Sequence, residues 1–203
     1  MSALLTGLLL GAAALTGCQS EMESSRSSAL NSAEYLQESL ATAPAQIDAV
    51  TKQLTVVTAG DTVDRKKALA EFDREVRTLE THALSMARAR DNAENRTQEY
   101  FRNWLKQTRK YKTAAERDAA IAKYDAGQAN VSQALEYLRM GARNFRQLMD
   151  ELNGAKTSLN ADLGAANVAK VRTGLGPVYD HAIKVKAYIE RLDEQINASL
   201  TSK

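Results

Sequence analysis

Proline, glycine and aromatic residues are scarce in this chain. Its 203 residues include two prolines and ten glycines, and Phe, Trp and Tyr together make up 5%. Sandwiches and barrels of β-strands need frequent turn residues and runs of β-branched or aromatic side chains, so this composition excludes them and predicts an all-α fold. Since 44% of the residues are hydrophobic and 26% are charged, the chain suits one sizeable folded domain.

The chain also lacks an excess of one charge, because its formal net charge is +2. Binding to nucleic acid requires a dense basic face that displaces counterions from the phosphates. We therefore expect no nucleic-acid partner.

A cysteine pair and a membrane-spanning hydrophobic run are missing as well. The single cysteine, Cys18, cannot form an internal disulfide. It follows an apolar run from Ala3 to Leu15, which has the length of a signal-peptide core and is too short to cross a bilayer. The sequence Leu15-Thr16-Gly17-Cys18 resembles the lipobox of bacterial lipoproteins, although no Lys or Arg precedes the run.

This resemblance implies that residues 1–17 are a signal peptide and that Cys18 becomes a lipidated N-terminus. The protein would then lie in the bacterial envelope and face the periplasm. Gln19 follows the cysteine in place of the aspartate that resembles an inner-membrane retention signal, so the outer membrane is favoured over the inner membrane. The alternative interpretation is a buried N-terminal helix with an ordinary buried cysteine.

Apolar residues in the rest of the chain recur in alternating steps of three and four. From Leu69 to Tyr111, ten of thirteen such positions are apolar or aromatic, and similar stripes run through residues 33–57, 121–159 and 171–196. A 3.5-residue repeat keeps one stripe of a helix against a partner, as in coiled coils. The serine-rich residues 18–29 indicate a flexible tether. We predict a single domain over residues 30–200, an elongated antiparallel bundle or coiled coil of about four long helices.

Several positions predict helix boundaries and kinks. Pro44 lies within the first stripe without shifting its phase, which indicates a kink inside one helix. Gly60, followed by Asp61 or Thr62, suits a helix stop and an N-cap before the second helix. Two glycines and Pro177 indicate a kink in the last helix.

The most consequential boundary is predicted near Thr113. The stripe changes register after Tyr111, and Thr113 and Glu116 have the spacing of a capping box. We therefore place a helix start at this point. The alternative is one very long helix that continues through it.

No motif for catalysis occurs in the sequence. Neither His82 nor His181 follows a Glu at the spacing of di-iron bundles, and neither has a partner four residues away for zinc. A glycine-rich phosphate loop and a Gly-x-Ser-x-Gly elbow are also missing. We predict a protein that is not an enzyme and uses no metal or cofactor.

One segment of the chain is strongly basic, although the net charge of the whole chain is close to zero. No acidic residue occurs between positions 102 and 112, and Trp104 and Tyr111 lie among the cations. Such a segment suits anionic lipid headgroups or a cell-wall polymer. The plainer interpretation is a solvated helix end, where positive charge favours the helix dipole, with the aromatic residues in the stripe. The basic segment consists of Arg102, Lys106, Arg109, Lys110 and Lys112.

A second resemblance covers most of the body. It rests on Phe101-x-x-Trp104, Tyr124, Phe145-x-x-Leu148 and Lys156-x-x-Leu159-Asn160-Ala161, which resemble an uncharacterised family of bacterial helical proteins with a domain of unknown function. This resemblance implies no activity. The sequence therefore predicts a non-enzymatic envelope lipoprotein that acts as a coiled-coil scaffold or adaptor, with a protein partner or a second copy of the chain. The alternative function is binding of anionic headgroups or cell-wall polymer through the basic segment.

Overall fold

A computed structural model describes residues 19–59 and 64–201, which form helices and no strand. The all-α prediction is therefore confirmed for this part of the chain. The predicted signal peptide and Cys18 lie outside the described residues, and so do the predicted stop at Gly60 and the caps at Asp61 and Thr62. The helices are α1 (Gln19–Ala41), α2 (Ala43–Val57), α3 (Arg65–Thr108), α4 (Ala114–Ala161), α5 (Ala165–Thr173) and α6 (Gly176–Thr201).

The prediction of a flexible tether is wrong for residues 19–29, because α1 already begins at Gln19. The hydroxyl of Ser25 donates to the carbonyl of Met22 over 3.0 Å, so this serine bonds to the preceding turn of its own helix. Met22 and Ala29 pack against aromatic side chains of α3. Packing of this face overrides the weak helix preference of the serines.

Near Pro44, where a kink inside one helix was predicted, the structure divides the stretch into α1 and α2. Thr42 alone separates α1 from α2, and its backbone remains helical at φ −87° and ψ −16°. The amide of Gln46 donates to the Thr42 carbonyl over 3.2 Å, which is the first i→i−4 bond of α2. Pro44 lies in the first turn of α2, where its missing N–H leaves no intrahelical bond unmade.

The boundary predicted near Thr113 is also confirmed, and the single long helix is excluded. The amide of Glu116 donates to Thr113 Oγ1 over 3.2 Å, and the amide of Thr113 donates to Glu116 Oε2 over 3.3 Å. This reciprocal pair is a complete capping box at the start of α4. At the start of α3, the amide of Lys67 donates to Asp64 Oδ1 over 3.1 Å, so Asp64 is the N-cap of that helix.

The last predicted helix is divided into α5 and α6. The amide of Gly174 donates to the Val171 carbonyl over 2.9 Å, and the amide of Leu175 donates to the Arg172 carbonyl over 3.3 Å. These i→i−3 bonds tighten and end the last turn of α5. Pro177 then lies in the first turn of α6, where proline is tolerated.

The residues divide into two compact units. Unit 1 comprises the described parts of Met1–Glu38, Ala87–Leu138 and Arg191–Lys203, and unit 2 comprises those of Ser39–Met86 and Arg139–Glu190. Helices α1, α3, α4 and α6 each contribute one segment to unit 1 and another to unit 2. The domain predicted over residues 30–200 therefore consists of two units that share their helices.

Polar contacts in unit 2 show that neighbouring helices run antiparallel. Between α3 and α4, Asn160 donates to Asp73 over 3.4 Å and Asn153 donates to Glu80 over 3.3 Å. The residue number rises along α3 as it falls along α4, which requires opposite directions.

Helices α2 and α6 also run antiparallel within unit 2. Lys186 pairs with Asp48, and the hydroxyls of Thr55 and Tyr179 lie 2.6 Å apart. The antiparallel arrangement predicted from the stripes is therefore confirmed for these helix pairs.

The core of unit 2 follows the predicted stripes with three additions, Ala68, Leu148 and Val168. Leu148 is fully buried on α4, although the predicted stripe steps from Phe145 to Met149 and passes over it. Both of those stripe residues are only partly buried. The largest fully buried side chains of this core are Ile47, Leu54, Phe72, Leu79, Leu148, Leu152 and Leu159.

Candidate functional site

An aromatic cluster forms the core of unit 1. Tyr100, Phe101 and Trp104 of α3 are buried there, and Tyr124 of α4 packs against them. The ring centroids of Tyr100 and Trp104 lie 5.4 Å apart, and those of Phe101 and Tyr124 lie 5.5 Å apart, both edge to face. This is a favourable geometry for aromatic pairs. Trp104 is therefore a packing residue of the bundle, as the plainer interpretation of the basic segment expected.

A cavity of about 440 Å³ lies beside this cluster, within unit 1. Side chains of α1, α3, α4 and α6 line it, and most of the lining is apolar. Its aliphatic and aromatic lining residues include Leu30, Leu36, Phe101, Val131, Leu135 and Ile196.

Small side chains at inward positions produce the cavity. Ala33 of α1, Ala93 of α3 and Ala134 of α4 all face it. Helices packed at an ordinary separation leave volume unfilled where alanine replaces leucine on several of them. Leu135 and Leu138 of the predicted α4 stripe are consequently only half-buried, because they border this volume.

The cavity reaches the protein surface along a polar rim. The exposed side chains of Gln98 and Arg102 line it from α3, and those of Gln128 and Ser132 line it from α4. An apolar interior with a few polar groups at its margin is the usual composition of a small-molecule site.

Arg26 and Tyr100 bring polar groups into this interior. Arg26 lines the cavity from α1, and its Nε is shielded from solvent and forms no hydrogen bond with any described residue. Burial raises the pKa of Tyr100 to about 12, while the positive charge of Arg26 acts in the opposite direction. The Tyr100 phenol therefore stays neutral at physiological pH and remains a hydrogen-bond donor.

The five cations of the basic segment are all exposed. Arg102 and Lys106 lie on α3, and the other three lie between α3 and α4. Lys106 Nζ donates to Asn103 Oδ1 over 3.4 Å. Within the described part of the chain, Arg102, Arg109 and Lys112 form no ion pair. Arg102 belongs both to this segment and to the cavity rim, and its place at the rim was not predictable from the sequence.

The two histidines lie in unit 2 at half-buried positions. His181 Nδ1 is 3.0 Å from Glu151 Oε1, and His82 Nδ1 is 3.4 Å from Thr42 Oγ1. Among residues 19–59 and 64–201, no three His, Cys, Asp or Glu side chains are grouped in a way that suits a metal ion. The same residues contain no helix with the length and hydropathy needed to cross a bilayer.

The cavity is the feature that sequence reasoning missed. The available signal was the alanine at several stripe positions, such as Ala33 and Ala93, where leucine or valine fills other parts of the bundle. Alanine in a stripe also occurs where helices approach closely, so this signal alone does not predict a cavity.

The comparisons with known proteins gave no match: no protein-family model, no curated protein and no solved structure is similar to this chain. The resemblances to bacterial lipoproteins and to an uncharacterised helical family therefore stay predictions.

Proposed function

We propose that this protein is a non-enzymatic lipoprotein of the bacterial envelope, anchored by lipid at Cys18, whose helical bundle acts as a scaffold or adaptor. The supporting observation is that Gln19, the residue that follows the lipobox-like sequence ending at Cys18, already belongs to α1. An anchor at this cysteine would join the bundle without a flexible spacer. A rigid connection of this kind holds a bundle close to the membrane surface, as a scaffold requires.

The anchor is tested with the Cys18→Ala variant. Several acyl chains, each contributing about 0.8 kcal/mol per buried methylene, hold a protein far more firmly than one myristoyl chain. We expect wild type in the membrane fraction with a mature N-terminus at lipidated Cys18, and the variant released or mislocalised. Mass spectrometry of the N-terminal peptide provides the measurement. Wild-type protein that retains residues 1–17 would contradict the anchor.

The adaptor role requires a partner that contacts the bundle. Leu84 and Ile183 of unit 2 are large apolar side chains that are 63% and 62% exposed. Photo-crosslinking amino acids placed at these two positions in living cells should capture a protein partner or a second copy of the chain. The same amino acid at exposed Arg88 of unit 1 serves as the control. Equal and diffuse labelling from all three positions would argue against a defined partner.

A second function is favoured by the exposed cations of the basic segment. These side chains suit anionic headgroups or a cell-wall polymer, and such binding weakens as ionic strength rises. Changing Lys106, Arg109 and Lys112 together to Gln should abolish sedimentation with anionic vesicles or isolated cell wall at low salt. The matched control changes three exposed cations on one face of α4, Arg139, Arg143 and Arg146, to Gln. Equal losses in both triple variants would show that net charge, and not this segment, is responsible.

A further inference from the structure

The cavity of unit 1 combines apolar walls with Arg26, whose Nε has no hydrogen-bond partner among the described residues. We propose that it binds a single-chain anionic amphiphile, with the acyl chain inside the cavity and the anionic head at Arg26. This site is independent of the anchor at Cys18 and of the adaptor role, and it adds a ligand to the proposed function.

The size and walls of the cavity suit an acyl chain. Its volume of about 440 Å³ falls within the range of roughly 300–1,000 Å³ that small-molecule sites occupy. Aliphatic side chains line it from α1, α4 and α6, and Phe101 adds an aromatic wall from α3. An acyl chain in this volume gives these side chains the dispersion contacts that no neighbouring helix supplies.

The charged groups of the lining select the head. Arg26 Nε is shielded from solvent and has no hydrogen-bond partner among the described residues, so an anion that reaches it gains a charge-assisted hydrogen bond. Arg102 contributes a second positive charge at the rim. Glu94 is the one carboxylate among the lining residues, and it accepts a hydrogen bond of 3.4 Å from Gln98 at the same rim. Two cations against one carboxylate favour an anionic head over a neutral or cationic one.

The experiment uses the full chain in membrane vesicles and a palmitate analogue with a photoreactive diazirine on its acyl chain. We expect saturable labelling of the tryptic peptides 97–102 and 124–139, which contain residues of α3 and α4 that line the cavity. Unlabelled palmitate should compete with the probe. Competition by lysophosphatidic acid but not palmitate would identify a phosphate head as the preferred anion and would still support the site. Labelling that does not saturate, or that spreads evenly over the chain, would overturn the proposal.

Filling the cavity tests the position of the acyl chain. The Ala134→Phe variant places a ring in the volume from α4, so the cavity adducts should be lost while resistance to proteolysis is kept or increased. Ala33→Phe fills the same volume from α1 and replaces the first variant should that one fail to fold. Ala122→Phe on an exposed face of α4 is the control and should label as wild type does. Undiminished labelling of a folded filled variant would overturn the proposal.

Removing the cation tests the position of the head. Arg26→Gln should weaken competition by palmitate about tenfold, the effect of roughly one hydrogen bond to a charged group. It should leave competition by palmityl alcohol unchanged, and Arg88→Gln, at an exposed position outside the cavity, should change neither. Equal effects on the acid and the alcohol would overturn the role of Arg26.

A second copy of the chain is the competing occupant of this volume. Self-association would overturn the proposal if two results were obtained together. Wild type would form dimers that the Ala134→Phe variant does not form, and palmitate would not compete with the probe in wild type. Palmitate labelling of a chain that stays monomeric throughout would support the proposal.

Discussion

Tyr100 shows how one buried group couples the fold of unit 1 to pH. Its pKa is raised from 10.0 to about 12, first by burial, because the apolar surroundings disfavour the phenolate. The unfolded chain releases this proton near pH 10 and the folded chain does not. The contribution of Tyr100 to the free energy of unfolding is therefore fully present below about pH 10. It is lost as pH rises towards 12.

We expect Tyr100→Phe to reduce the loss of stability at alkaline pH. Two pKa units correspond to roughly 2–3 kcal/mol, so wild type should lose about that much more unfolding free energy than the variant between pH 9 and pH 12. Urea unfolding at a series of pH values measures this difference. Tyr35→Phe, at a half-exposed position, controls for the other tyrosines. Parallel pH profiles for wild type and Tyr100→Phe would contradict the assignment.

Leu148 and Trp104 test the packing of the two units separately. Leu148 is fully buried in unit 2, and Trp104 is 9% exposed within the aromatic cluster of unit 1. Truncating either to Ala should lower the free energy of unfolding by about 2–5 kcal/mol, through lost burial and the cavity that remains. Lys106→Ala, at an exposed position, should change it by less than about 0.5 kcal/mol. Chemical denaturation that ranks all three variants alike would refute the burial pattern.

At the scale of helices, boundaries with local chemistry were predictable and those set by packing were not. Thr113 and Glu116 satisfy each other's amides within four residues, so their spacing in the sequence already carries the information. The helical structure of residues 19–29 depends instead on Met22 and Ala29 packing against α3, a contact between residues far apart in the chain. Serine content alone indicated a tether and gave the wrong result.

The capping box at the start of α4 yields a direct prediction. Thr113→Ala removes the hydroxyl that accepts from the Glu116 amide and should cost about 0.5–2 kcal/mol of unfolding free energy. Thr113→Ser keeps that hydroxyl and should cost little. Thermal unfolding of the two variants under identical conditions provides the comparison. A loss in Thr113→Ser as large as that in Thr113→Ala would show that the methyl group, and not the cap, matters at this position.

At the scale of the whole chain, the stripes predicted that the helices pack together. They did not predict how completely side chains fill the core of each unit. The core of unit 2 contains the large aliphatic side chains that the heptad pattern expected. In unit 1, alanines from three helices line the same cavity. Whether they meet there depends on how the helices are aligned along their axes. A single sequence records the residue at each position but not that alignment between helices, so the candidate site was not predictable.

Helix α4 allows the two units to be compared within one continuous element. Its residues 139–161 contain Leu148, Leu152 and Leu159, all fully buried, whereas Ala120 has the one buried hydrophobic side chain that the structure describes in its residues 114–138. Local opening costs less free energy where fewer apolar contacts must be broken. We therefore expect the amides of residues 121–136 to exchange with deuterium about tenfold faster or more than those of residues 145–159, a difference of ~1.4 kcal/mol or more in opening free energy.

Hydrogen exchange followed by mass spectrometry resolves the two halves of α4, and the same measurement with palmitate present separates packing from ligand binding. A ligand that binds the folded state of unit 1 stabilises it by mass action, so exchange over residues 121–136 should slow while residues 145–159 keep their rates. The Ala134→Phe variant should show slower exchange over residues 121–136 without palmitate and no further response to it. Equal protection along the whole of α4 in the wild type would mean that the cavity does not weaken unit 1.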